Sequence, residues 1–301
     1  MNKKSRKKSS KRSIKKSSKK SSYKKLRVKM LEKYDENNDN LITIKEYLAK
    51  EVSTGPKARS GNINYHYQNI INIYNFFTLM VFKKIKEYKI MCIPQYEITF
   101  GQNFIERTTS IYDFYRHKYY FPKSMIKSIA KCKKTGIRLV YFTFIIAKSN
   151  DGISHANMVI IDLKKKTLER FEPYGCDVFY NKKLINKFFR TFVLKFLKLK
   201  KFKYLEPENL SPKIGVQHGS DSFTGMCVTI SAMYLQMRIL NVDVKQKKII
   251  DYFLSIPKKK LKKTILKFAR YIETTLKKNS KLVNQLNYNL YEVIFNELKN
   301  V

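Results

Sequence analysis

The sequence predicts an α+β protein, a central mixed or antiparallel sheet packed by helices. Three observations predict it. Leu139-Val-Tyr-Phe-Thr-Phe-Ile-Ile146 is apolar at both strand parities, as a strand buried on both faces must be. Residues 155–175 read as two short apolar strands joined by a lysine turn, a β-hairpin. On either side lie segments of helical length and spacing, so helices flank a cluster of strands.

Length and composition set the frame. The 301 residues, 43% of them hydrophobic, allow one large domain with additions. A net charge of +40, from 63 Lys and Arg against 23 Asp and Glu, favours polyanionic partners such as nucleic acid, an acidic protein surface or anionic lipid. Cys92, Cys132, Cys176 and Cys227 are widely spaced without a C-x-x-C pair, which argues against a zinc site or a disulfide framework and suits a reducing compartment. No apolar run reaches the roughly 18 residues that span a bilayer. The basic N-terminus lacks the apolar stretch of a secretory signal, so the chain is expected not to be secreted.

Residues 1–25 are nearly all Lys, Arg and Ser, which predicts a disordered basic tail suited to anchoring nucleic acid or to import. Residues 26–56 read as helix–loop–helix. Within them Asp35, Asn37 and Asp39 take the first, third and fifth positions of a twelve-residue calcium loop. The Leu41 carbonyl falls at the seventh, Thr43 at the ninth and the Glu46 carboxylate at the twelfth. Asn40 stands where glycine usually makes the sharp turn, and Asn tolerates positive φ. The segment resembles an EF-hand, which implies Ca²⁺ as its ligand. The alternative is an Asn/Asp-rich turn that caps the second helix.

Residues 57–301 are expected to form one domain with helical additions at both ends. Residues 53–62, with Gly55-Pro56 and Gly61, read as linker. A helix is expected over about 65–88, strand and turn over 93–104, and helix over 107–131 with a break at Phe121-Pro122. After the central strand and the hairpin come a basic amphipathic helix over 180–197, a short strand at 202–205 and an irregular stretch over 206–221. An apolar helix over 226–240 and three basic helices close the chain.

Within the hairpin, pairing Asp162 with Lys165 across a two-residue loop sets His155 opposite Glu172, close enough for a carboxylate to hold an imidazole. Strand alternation places His155, Asn157, Arg170 and Glu172 on one face, and Ala156, Met158, Glu169 and Phe171 on the other. Asp162 and Glu169, the competing acids, then point away from His155. A histidine oriented by an acid lacks only a nucleophile. Cys227 follows Gly225 at the start of the apolar helix, where the helix dipole favours a thiolate. A buried helix cysteine without chemistry is the bland alternative. Gln217, in Gly215-Val-Gln-His-Gly219, could donate to an oxyanion beside the helix-start N–H groups. His218 is the competing base. His66 and His117 read as packing or surface residues.

As a set, these residues resemble the Ulp1-like and adenovirus-protease-like cysteine proteases, and among them the thiol proteases of large nucleocytoplasmic DNA viruses. The matching pieces are His155 with Asn157, the run from Glu169 to Gly175, Gly215 with Gln217, and Gly225 with Cys227. The resemblance covers roughly residues 138–245. It implies a papain-like arrangement in which Cys227 is the nucleophile, His155 the general base, Glu172 its orienting acid and Gln217 the oxyanion donor. It further implies a cysteine endopeptidase, needing no cofactor for catalysis, that cuts protein or polyprotein substrates at Gly-x sites. Maturation of viral structural polyproteins, in the virion and the host-cell cytoplasm, is the implied setting. Ala156 after the histidine, Val228 after the cysteine and the ten-residue step from Gln217 to Cys227 depart from the family pattern and argue against SUMO removal. Two other readings are an acyl- or acetyltransferase on the same triad, and a basic nucleic-acid-binding virion protein without catalysis.

Overall fold

Leu139 to Ile146 are all buried, because helices cover both faces of the sheet through which this segment runs. The computed structural model describes residues 25–52, 70–83, 91–92, 109–113, 118–120, 125–135, 137–147, 154–175, 181–211, 213–217 and 226–284. The chain divides into two compact units, Met1–Ser53 and Thr54–Val301. The basic tail, the linker, the expected strand over 93–104, His66, His117, Cys176, His218 and the far C-terminal helix lie outside the described residues.

The larger unit holds a mixed sheet of β1 (Met91–Cys92), β2 (Thr109–Asp113), β3 (Lys118–Tyr120), β4 (Leu139–Ala147), β5 (Ser154–Asp162), β6 (Thr167–Phe171) and β7 (Lys203–Leu205). Its order is β3-β2-β4-β5-β6-β7, with β1 parallel to the beginning of β4. One edge of β4 is taken along its length by antiparallel β5, and the other is shared by β1 and β2, both parallel. Helices are α3 (Ile70–Lys83), α4 (Met125–Thr135), α5 (Lys182–Phe188), α6 (Leu194–Phe196), α7 (Pro207–Leu210), α8 (Cys227–Leu240), α9 (Gln246–Ser255) and α10 (Lys258–Lys278). A single π-helical turn, Phe189–Val193, joins α5 to α6. The predicted α+β class is the observed one. Among the described residues no helix is long and apolar enough to cross a membrane.

Alternation along the strands decides which helix meets which face. Phe171 stacks on Tyr234 of α8 with centroids 4.1 Å apart, and Tyr141 meets Phe77 of α3 at 5.6 Å. Phe76 in turn packs on Tyr271 of α10 at 5.4 Å. On the opposite face Phe144 meets Phe189 edge-on at 5.0 Å, and Phe189 stacks on Tyr204 at 5.1 Å.

Three expectations need correction. The hairpin pairs Asp162 with Thr167, not Lys165, so the register is two residues off (167 − 165 = 2) and the loop is Leu163–Lys166. A two-residue loop needs positive φ at its first position or at both, which Leu163 and Lys164 resist. Instead Asp162 Oδ1 accepts the backbone N–H groups of Lys164 and Lys165 at 3.0 and 2.9 Å, and Lys166 takes φ 54°. Arg138 fixes that carboxylate from the neighbouring strand at 3.0 Å. Secondly, residues 109–113 and 118–120 are strands where helix was expected. Thr109, Ile111, Tyr112, Tyr119 and Tyr120 suit a pleated surface, and β2 fills the edge that β4 offers from Thr143 to Ala147. Thirdly, Cys132 on α4 is disulfide-bonded, which the wide cysteine spacing did not predict.

The smaller unit is a helix–loop–helix of α1 (residues 25–34) and α2 (Ile44–Glu51). Thr43 is the N-cap of α2, and a full capping box forms with Glu46. Ile42, Ile44, Tyr47 and Leu48 are buried beneath the loop.

Candidate active site

The hairpin brings Glu172 and His155 together through parity. A two-residue slip leaves every side chain on its predicted face, because the strand period is two. His155 Nε2 and Glu172 Oε1 form a short hydrogen bond, with both side chains buried. Glu172 Oε2 accepts from Asn157 Nδ2 at 2.9 Å, and Oε1 also accepts the Tyr174 backbone N–H at 3.0 Å. With three donors converging on it, the carboxylate is fixed in place. Asp162 closes the turn, and Glu169 faces away from His155, meeting Arg238 of α8 at 2.8 Å and Gln246 at the start of α9 at 2.6 Å. Neither competing acid reaches the histidine.

Cys227 is the first residue of α8, and the N-cap Met226 gives the helix no side-chain cap. First-turn N–H groups of a helix have no intrahelical partner. The thiol is buried and packs with Ile145 and Ala156. The Cys227 side chain hydrogen-bonds the His155 imidazole. Burial alone would pull the His155 pKa down. The Glu172 carboxylate and Cys227, each through charge and a hydrogen bond, overcome this and push it up to about 10. Imidazolium is therefore the favoured form at neutral pH.

Gln217 reaches the site region through a close approach of two backbones. Gly215 N–H donates to the Tyr174 carbonyl and Gln217 N–H to the Pro173 carbonyl, both at 2.8 Å. A Cβ on Gly215 would lie 2.2 Å from the Gly175 nitrogen, so only glycine fits. Gly175 itself has φ 90°. Gln217, buried, is thus held beside the turn that directly follows Glu172.

Sequence reasoning missed Tyr174. Its ring lies over His155 with centroids 4.8 Å apart and planes at 42°. Burial raises its phenol pKa, as do the charges of Cys227 and Glu172. The signal was the register: continued three residues beyond Met158↔Phe171, it brings Tyr174 opposite His155.

In the calcium-like loop Asn40 takes φ 61°, the conformation that the sixth position needs. Asp35 accepts the Asp39 and Asn40 backbone N–H groups at 3.3 and 2.9 Å, and Asp39 accepts that of Leu41 at 2.7 Å. Glu46 Oε1 accepts from Asn37 Nδ2 at 2.9 Å, and Oε2 from the Thr43 hydroxyl at 2.7 Å. Among the described residues no three His, Cys, Asp or Glu side chains form a group that could hold a metal. The loop as it stands is closed by its own hydrogen bonds.

No protein-family model and no curated protein matches the chain. Among solved structures it is similar to ChlaDub1 from Chlamydia trachomatis, at 12% identity and a TM-score of 0.42, over 74% of this chain and 96% of that one. It is also similar to a single-residue deletion variant of AvrA with IP6 and CoA, at 17% identity and a TM-score of 0.31, over 75% of this chain and 78% of that one. At these scores neither likeness bears on the chemistry.

Proposed function

We propose that the protein is a cysteine hydrolase acting on protein substrates, with Cys227 as nucleophile, His155 as general base and acid, and Glu172 as the orienting acid. The observation that carries this is the buried chain of hydrogen bonds from Cys227 through His155 to Glu172. The Cys227 sulfur attacks a scissile carbonyl, and the imidazolium gives its proton to the leaving amine, leaving an acyl-thioester. His155 then takes a proton from water, whose attack releases the acid and the Cys227 thiolate and restores the thiolate–imidazolium pair. Gln217 and the first N–H groups of α8 are the proposed oxyanion donors. Maturation of a viral polyprotein at Gly-x bonds is the finer reading, supported by the sequence resemblance.

One experiment tests the class of reaction. Purified protein is incubated with a Gly-x peptide panel, and separately with radiolabelled acetyl-CoA and a protein acceptor. Peptide cleavage that a thiol-directed reagent on Cys227 abolishes is the expected result. Acetyl transfer without cleavage would replace hydrolysis by acyl transfer on the same triad. A Cys227 inert to the reagent at neutral pH would sink both.

We also propose that the loop binds Ca²⁺ through Asp35, Asn37, Asp39, the Leu41 carbonyl, Thr43 and Glu46. The positive φ of Asn40 at the sixth position supports this. Calorimetric titration of the full chain with Ca²⁺ is expected to give a saturable heat that Glu46→Gln removes. No heat in the unmodified chain would leave Glu46 as a helix cap alone.

A further inference from the structure

Arg170 lies on β6 on the face that carries Glu172 and is 1% exposed. Burying a guanidinium is costly unless its donors are met, and a well-packed apolar residue is often no worse for stability. An apolar side chain beside Phe189, whose ring lies 5.7 Å from the guanidinium carbon, would serve packing alone. The cation adds direction. Its nitrogens go to side chains: one Nη to Asn157 Oδ1 at 2.6 Å, the other to Asn186 Oδ1 at 2.9 Å, and Nε to the Tyr204 hydroxyl at 3.0 Å.

Arginine only donates, so the Asn157 oxygen must face it, and the Asn157 NH₂ must then face Glu172. A carboxylate accepts from that NH₂ and would be repelled by the oxygen. On the far side the Tyr204 hydroxyl passes its hydrogen to Asn186 Oδ1 at 3.0 Å, and Asn186 Nδ2 donates to Glu206 and Glu208 at 3.1 and 3.0 Å. Each link in the chain thereby has a fixed polarity. The guanidinium also lies 3.8 Å from Glu172 Oε2.

We propose that Arg170 is a positioning residue: it orients the Asn157 amide, and through it the Glu172 carboxylate that holds His155. The proposal rests on the triad reading of His155, Glu172 and Cys227. The titratable and charged groups around this chain are His155 on β5, Tyr174 after β6, Cys227 on α8, Tyr204 on β7, Glu206 and Glu208 at α7, and Arg190, which pairs with Glu206.

The test uses the full chain and iodoacetamide, which reads Cys227 reactivity against pH without any peptide substrate. In Arg170→Met the upper limb of the profile, where His155 releases its proton, moves down by about one pH unit, the lost alignment of Glu172 outweighing the repulsion of the imidazolium that removing the guanidinium relieves. With a peptide substrate kcat falls about 10–100-fold while KM holds. Tyr204→Phe keeps the ring packed and removes only the hydroxyl, so it serves even if Arg170→Met fails to fold; it moves the limb the same way by less. In a Glu172→Gln background neither change moves the limb further, because both act through Glu172. A wild-type limb in Tyr204→Phe and in folded Arg170→Met, with Cys227 still reactive, overturns the proposal alone. Shifts that add in full to that of Glu172→Gln do the same. A wild-type Cys227 that reacts no faster than free cysteine overturns the triad, and the proposal with it.

Discussion

Glu172→Gln is expected to lower turnover about 10³–10⁴-fold, the scale seen when the acid of a nucleophilic triad becomes its amide. Three donors converge on this carboxylate, from His155, Asn157 and the Tyr174 backbone. An amide keeps the volume but presents an NH₂ where one of those donors points, so the imidazole loses its fixed orientation. The pH dependence of stability follows from the same pair. His155 is raised from 6.5 to about 10 in the folded chain, with burial opposing the shift and Glu172 and Cys227 driving it. Its stabilisation is therefore full below about 6.5 and is lost as pH climbs through about 10. Thermal unfolding scans across that range should show Tm falling with pH in the parent and falling less in Glu172→Gln. Parallel curves would mean that Glu172 does not hold the imidazolium.

Gly215→Ala is the second large effect. The added Cβ would meet the Gly175 nitrogen at 2.2 Å, the Tyr174 carbonyl carbon at 2.4 Å and the Pro173 oxygen at 2.5 Å. All three are backbone atoms, so no side chain can swing aside. Overpacking of this kind costs about 3 kcal/mol. The strain falls on the Gly215–Tyr174 and Gln217–Pro173 hydrogen bonds. If Gln217 serves the oxyanion, turnover drops about 10²-fold with it. Alkylation of Cys227 by a small reagent forms no oxyanion and should change far less. Equal losses in both assays would show that the substitution disturbs the cysteine itself.

Much of this site was legible because it depends on parity and order rather than distance. Glu172 was separated from Asp162 and Glu169 by which face each occupies, and a register wrong by two residues could not spoil that choice. The start of α8 at Cys227 was legible from Gly225 and the apolar run behind it. Tyr174 was not, since its place over His155 follows from the true register, which a carboxylate at Asp162 and a left-handed Lys166 decide. The strands at 109–113 and 118–120 were misread because their aromatic and basic residues suit helix or strand equally. Only the unfilled edge of β4, a tertiary fact, settles them. The need for glycine at 215 was invisible for the same reason, as the backbone it touches lies forty residues earlier (215 − 175 = 40).

The hairpin and α8 meet across a long stretch of chain. His155 and Glu172 can find each other locally, but the thiol arrives only when Tyr234 has stacked on Phe171 and the Ser231 hydroxyl has found the Ala156 carbonyl at 3.3 Å. Contacts so distant in sequence carry a loop-closure cost that the hairpin's own pairing does not. A chain in which α8 has not docked therefore has His155 paired with Glu172 and Cys227 not yet beside them. On the proposed triad, the nucleophile is withheld from its base until that helix arrives.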